Sequence, residues 1–245
     1  MKKVARRLIR KMGYDLKPIP KVAKKNIPIP AREKQAVQKI LQEFSNQKGS
    51  DSPFHYQALR EYLSDERLQF FFQLLKVCAD QQLDLSQKKI ADIGSGTGYL
   101  LRLIEQQQAN PLLFGFDTFE EILALAAYIA PRAQHLPKSL YAIEDQFDVI
   151  FCTEVLEHLV EPKKALLAMQ SLLNPSGALV LSVPDGRVDQ QASGDMREDG
   201  SSYWGHIHFW SPESWPLLMQ EHFPRAREIQ VGKVDAWKLY AIIKF

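Results

Sequence analysis

The chain has only two cysteines in 245 residues, Cys78 and Cys152, at no metal-ligand spacing. That excludes a disulfide framework and a cysteine-based zinc module, and it leaves two apolar thiols suited to a reducing compartment. Long apolar runs are missing as well. None approaches the roughly 18 to 20 residues that span a bilayer, and the basic N-terminus lacks the apolar segment and small-residue cleavage site of a secretory signal. A cytoplasmic chain is expected. A large net charge is also lacking, the formal value being +2. That balance hides an asymmetry: residues 1–39 hold 13 lysines and arginines against Asp15 and Glu33. The rest of the chain keeps 18 of the 31 basic and 27 of the 29 acidic side chains. One end attracts anions and the body does not.

No internal repeat of fixed period is present. Residues 1–30 read as a basic amphipathic helix, "KKVARRLIRKMGYDL", followed by a linker, "KPIPKVAKKNIPIP", whose prolines donate no backbone hydrogen bond. Helices are expected within 31–87 as an N-terminal helical extension. The clearest is "SDERLQFFFQLLKVCADQQL", with Ser64 as N-cap and Leu68, Phe71, Phe72, Leu75 and Cys78 on one apolar face.

From residue 88 short apolar runs alternate with helical stretches. The strands are "KIADI", "LLFGF", "FDVIFC" and "GALVLSV"; between them lie "GYLLRLIEQQQ", "FEEILALAAYI" and "PKKALLAMQSLL". Such alternation predicts an α/β fold with a mostly parallel sheet and helices on both faces. "SPESWPLLMQEHF" reads as a helix capped by Ser211, with Pro212 in its first turn. "AREIQVGK" and "AWKLYAIIKF" then form an antiparallel pair. A short strand is expected between Ala130 and Gln146 without a defined register.

Glycine is sparse, at 12 residues, yet three crowd into "ADIGSGTGYL" (91–100), directly behind the first strand. Glycines there permit positive φ and let a ligand approach the backbone, with helix N–H groups facing it. The nicotinamide fingerprint would require glycine at position 99, where this chain has Tyr99. Asp117 ends the second strand. Its carboxylate suits a ribose diol, and equally suits capping of the following helix.

Together these stretches resemble the class I S-adenosylmethionine-dependent methyltransferases. "ADIGSGTGYL" is similar to their first motif, "GFDTFEEIL" to the acidic motif of the second strand, and "FDVIFCTEVLEHL" to the motif of the fourth. "LLNPSGALVLSVPDG" is similar to the segment leading through the fifth. The resemblance covers about residues 62 to 245 and implies a Rossmann-like, seven-stranded, mostly parallel sheet with an antiparallel last strand, the methyltransferase domain proper being 88–245. It implies S-adenosyl-L-methionine as cofactor. Asp92, Gly94, Gly96 and Gly98 would surround the methionine moiety, with Ser95 and Thr97 in the same loop. Asp117 would hold the ribose, Thr118 or Phe119 would flank the adenine, and Thr153 and Glu154 would line the methyl end. Relatives place an acid before an "A-x-x-L-P"-like stretch to bind the adenine amino group. Here "RAQHLP" stands instead, so either Gln134 or Asp145 would make that contact.

Methyl transfer from a sulfonium is an in-line displacement, dominated by positioning. A hydroxyl acceptor also gains from a general base. His206 of "GHIHFW" leads the candidates, ahead of His208, Asp185 and His158, the last lying beside Glu157 in "TEVLEHL". His206 and His208 with a loop aspartate form a conceivable metal set, but an H-x-H pair without a fixed third ligand is ordinarily innocent, and no metal is expected. A mobile cap is placed at 186–205; Tyr203, Trp204 and Trp210 either stack on the acceptor or pack the cap.

"LIRKMGYDLKPI" resembles the start of bacterial methyltransferases of cell-surface polysaccharide and glycan biosynthesis. It turns the acceptor toward a sugar hydroxyl or another small molecule. Residues 1–15 are candidates for contact with the inner face of a membrane. No nucleic-acid module accompanies them, and the oligomeric state is not written in the sequence. The alternatives are a quinone or aromatic-hydroxyl O-methyltransferase, and a non-catalytic cofactor-binding scaffold.

Overall fold

The computed structural model of the chain describes residues 64–192 and 205–245, with helical positions 35, 38, 39, 42 and 43. The basic segment, the proline-rich linker, Tyr203 and Trp204 lie outside the described residues.

Helix α1 (Asp65–Asp80) begins where expected: the Ser64 hydroxyl accepts from the Arg67 amide at 3.3 Å, and Asp65 and Glu66 favour its positive end. Its inner face is Leu68, Phe70, Phe71, Leu74, Leu75 and Cys78. Phe72 is only partly buried, because Phe70 and Leu74 take the core positions. Burial of that face contributes on the order of 10 kcal/mol. Phe71 stacks on Tyr99 with ring centroids 6.5 Å apart. The helix therefore shares the core of the following domain, and the expected boundary at residue 88 is not a break in packing.

Strand β1 (Lys89–Ile93), helix α2 (Tyr99–Gln107), β2 (Leu112–Phe116), α3 (Glu120–Ile129), β3 (Gln134–Leu136) and β4 (Phe147–Thr153) follow. Then come α4 (Pro162–Ser171), β5 (Leu173–Pro184), α5 (Gly186–Ala192), α6 (Ser214–His222), β6 (Glu228–Lys233) and β7 (Lys238–Lys244). Helix α6 starts at Ser214, later than the sequence suggests. The Ser211 hydroxyl instead accepts from the amides of Glu213 and Ser214, closing a turn before the helix.

The seven strands are ordered β3-β2-β1-β4-β5-β7-β6. Strands β1 to β5 pair in parallel, and β7 runs antiparallel to both β5 and β6. Side chains alternate between two cores. Ile90, Val149, Phe151 and Val180 face α1, α2 and α3, while Ala91, Ile150, Leu179 and Leu181 face α4 and α6. Both cysteines are free and buried, and burial pushes the Cys78 thiol up to about 12. No described helix is long and apolar enough to cross a membrane.

Candidate active site

Strand order reverses between β1 and β4, so the crevice opens at the carboxyl ends of these strands. Three glycines with positive φ turn the chain there, Gly94 at +71°, Gly96 at +50° and Gly98 at +71°. The Gly94 and Ser95 amides donate to the Phe116 carbonyl at 2.8 and 3.0 Å. A Cβ added at Gly94 would meet Val155 Cγ2 at 2.4 Å. Asp117 braces the glycine loop and the turn that leads into the next helix. Its Oδ2 accepts from the Gly96 amide and its Oδ1 from the Phe119 amide, both at 3.0 Å.

Asp92 is 2% exposed, and its Oδ1 has no hydrogen-bond partner among the described residues; the buried Ser95 hydroxyl has none either. Burial, then the neighbouring Asp117, raises the Asp92 pKa well above the usual carboxylate range. Such an orphaned acid beside a glycine loop fits a cationic ligand. Phe119, 58% exposed, presents a flat apolar face at the start of α3. Thr97 and Thr153 are buried at the same edge.

Two expected adenine contacts are not brought there. Asp145 pairs with Lys89 at 2.7 Å, at the amino end of β1 and so at the opposite edge of the sheet. Gln134 opens β3, in register with Phe114 and two residues short of the carboxyl edge, with an exposed side chain.

Beyond β4 the backbone of Glu154 is left-handed, with φ of 56°. The Ser182 carbonyl accepts its amide at 3.0 Å, the Ser182 hydroxyl donates to Oε1 at 3.0 Å, and Lys238 Nζ lies 3.1 Å from Oε2. Held so, the chain enters a short 3-10 turn (Leu156–His158) that delivers Glu157 and His158. The Glu157 carbonyl accepts from the amides of Ile207 at 2.8 Å and His208 at 3.3 Å, which brings the "GHIHFW" stretch alongside.

The result is a cluster of Glu157, His158 and His206, with one ligand atom from each within 4.8 Å of the others. The imidazoles of His158 and His206 meet edge to face, centroids 4.7 Å apart. His206 Nδ1 lies 2.7 Å from Asp189 Oδ2, and His158 Nδ1 lies 3.3 Å from the Gly205 carbonyl. Since both oxygens accept, each Nδ1 carries a proton. Burial, and then His206, lowers the His158 pKa. Glu157 is 1% exposed with both carboxylate oxygens unpartnered, and burial followed by Glu154 raises its pKa well above the usual range.

Two base candidates are not in this cluster. Asp185 is fully buried and ion-paired to Arg187 and Lys233; although burial opposes it, hydrogen bonds from these cations hold its pKa below the usual range. It anchors α5 and is unsuited to accept a proton. His208 stacks on Trp210, with centroids 5.4 Å apart and planes at 14°. The residue missed in the sequence is Asp189, because nothing in "GRVDQQ" marks one acid as the partner of a histidine 17 positions on.

The comparisons agree with this geometry. Residues 55–222 match the family described as "Methyltransferase domain". The ubiquinone biosynthesis O-methyltransferase of Pseudomonas aeruginosa strain UCBPP-PA14 is 34% identical over 111 residues, covering 42% of this chain and 47% of that protein. Its namesake from Histophilus somni is 27% identical over 163 residues, 62% of each. The chain thus spans about half the length of the first of these relatives. The plantazolicin methyltransferase BpumL with S-adenosylhomocysteine superposes with a TM-score of 0.62 at 16% identity, over 87% of this chain and 99% of that one. The N-methyltransferase NodS of Bradyrhizobium japonicum, also with S-adenosylhomocysteine, gives 0.53 at 18% identity, over 85% and 97%. At these identities the structural likeness is one of fold. With its glycine loop, braced acid and strand order, the chain belongs to the methyltransferase-domain family.

Proposed function

We propose that this chain methylates a hydroxyl oxygen of a small-molecule acceptor at the crevice between the glycine loop and the His158–His206 pair. Asp92, Gly94, Ser95, Gly96, Thr97 and Gly98 would hold the methionine end of S-adenosylmethionine, the orphaned Asp92 carboxylate facing its charge. Asp117 would take the ribose, since a carboxylate oxygen accepts more than one hydrogen bond. Thr118 and Phe119 would flank the adenine, and Thr153 and Glu154 would lie toward the methyl group. When bound, the cofactor supplies an electrophilic methyl on a cationic sulfur.

The observation that carries hydroxyl chemistry is the hydrogen bond between His206 Nδ1 and Asp189 at 2.7 Å. It fixes one tautomer and leaves the Nε2 lone pair to take a proton. The methyl would pass from sulfur to the acceptor oxygen with the carbon–sulfur electron pair left on sulfur, and His206 would take the hydroxyl proton. A thiolate or an enolate would not need this pair.

An aromatic hydroxyl is favoured by the relatives, which are named for ubiquinone biosynthesis. A sugar hydroxyl is supported by the N-terminal stretch, which lies outside the described residues, as does any membrane contact through residues 1–15. The test is calorimetric titration of S-adenosylhomocysteine, followed by turnover assays on phenolic and sugar acceptors with the wild type and His206→Ala. Unchanged turnover in that variant removes His206 as the base.

A further inference from the structure

We infer that Glu157, His158 and His206 bind one divalent transition-metal cation at the mouth of the crevice. This rests on the reading of that place as the acceptor site, because a cation there would meet the acceptor oxygen directly; with His206 Nε2 on the cation, the cation would lower the pKa of the bound hydroxyl in place of proton transfer to His206.

Three independent features point to it. The first is convergence: the donors come from two chain segments, the turn after β4 and the stretch after α5, yet lie within 4.8 Å of one another. Bonds of about 2.0–2.2 Å to imidazole and carboxylate need only side-chain rotation from there. The second is the buried Glu157 carboxylate, with neither oxygen hydrogen-bonded among the described residues. A buried carboxyl without a partner is a costly arrangement, and a cation removes the cost. The third is the outer layer. Both histidines direct Nδ1 to an oxygen, His206 to the Asp189 carboxylate and His158 to the Gly205 carbonyl. Ligating histidines are oriented in this way, by a carboxylate or carbonyl on the nitrogen that does not bind.

The neighbours narrow the ligand set. Glu154 is already held by Ser182 and Lys238, and His208 is turned onto Trp210. Two imidazoles and one carboxylate suit zinc, manganese or ferrous iron, whereas magnesium and calcium favour sets made of oxygen alone. Three protein ligands also leave coordination positions for water or an acceptor oxygen.

The experiment uses the full chain, stripped with a chelator and dialysed. Zinc binding is followed by calorimetry, Mn²⁺ binding by loss of the free-ion electron paramagnetic resonance signal, and cofactor-site integrity by S-adenosylhomocysteine titration on the same samples. The expected result is one equivalent of metal per chain. Affinity should fall at least tenfold in His158→Ala, in His206→Ala and in the isosteric Glu157→Gln, and about tenfold to a hundredfold in Asp189→Asn. S-adenosylhomocysteine affinity should stay within about twofold of wild type in all four. Absence of stoichiometric binding by a wild type that still binds S-adenosylhomocysteine overturns the metal site and leaves the His206 base standing. So does metal binding that is indifferent to all four substitutions. Metal binding without S-adenosylhomocysteine binding instead counts against the cofactor reading.

Discussion

The Gly96 amide donates to Asp117 Oδ2 at 3.0 Å, tying the turn after β1 to the end of β2 across the sheet. The acid proposed to bind ribose thus also holds the loop proposed to meet the rest of the cofactor. Asp117→Ala should remove both contributions and lower S-adenosylhomocysteine affinity by more than one hydrogen bond, about tenfold to a thousandfold from a loss of about 1.5–3 kcal/mol for a charge-assisted contact plus loop ordering. Calorimetry measures it; a change below threefold would show that neither role matters for binding.

Gly94 combines a φ of +71° with a Cβ position 2.4 Å from Val155 Cγ2. Gly94→Ala should destabilise the fold by about 1–3 kcal/mol, from backbone strain and overpacking together. Adding Val155→Ala relieves the clash and leaves the strain, so urea denaturation should show partial recovery. Full recovery would assign the whole effect to packing.

The His206–Asp189 pair predicts a loss in the rate of transfer with cofactor binding intact. Asp189→Asn should reduce kcat by about tenfold to a hundredfold, and His206→Ala by about a hundredfold to ten-thousandfold, the range usual for a positioned base. Turnover unchanged in His206→Ala would move the base elsewhere.

Glu157 gives stability a pH dependence of defined sign. Its folded pKa lies well above the model-compound value of 4.5 because of burial and Glu154. Between 4.5 and the folded value the native state therefore holds a proton that the unfolded chain has released. The stability associated with that proton is fully present below 4.5 and is lost as pH rises toward the folded pKa. His158 works the other way: its pKa is lowered from 6.5, so stability falls as pH drops below 6.5. In chelator-treated protein, Glu157→Gln should gain on wild type in urea denaturation as pH rises from 5 to 8. A constant difference would mean that Glu157 is ionised throughout.

Much of the fold was legible because local signals agreed. Ser64 before an amphipathic run, five-residue apolar strands and Asp117 at a strand end each carry their own physics. The short β3 was expected but its register was not, since Gln134–Leu136 has no alternation to read and is specified by pairing with Phe114 to Phe116. At the site, the glycine loop could be read because its conformation demands glycine. The grouping of His158 with His206 could not, because the Glu157 carbonyl creates it across a separation of 48 positions. Asp185 misled for a related reason: its ion-pair partner Lys233 is equally remote in sequence.

Strand β7 lies between β5 and β6, so the latest of the three in sequence is the one interior to the sheet. Until residues 238–244 leave the ribosome, β6 has no neighbour to pair with and β5 keeps an open edge. Lys238 is then absent from the Glu154 carboxylate, and the turn carrying Glu157 and His158 has lost one of its restraints. Earlier parts of the chain can collapse during synthesis, but the turn carrying Glu157 and His158 is fully restrained only once β7 has paired.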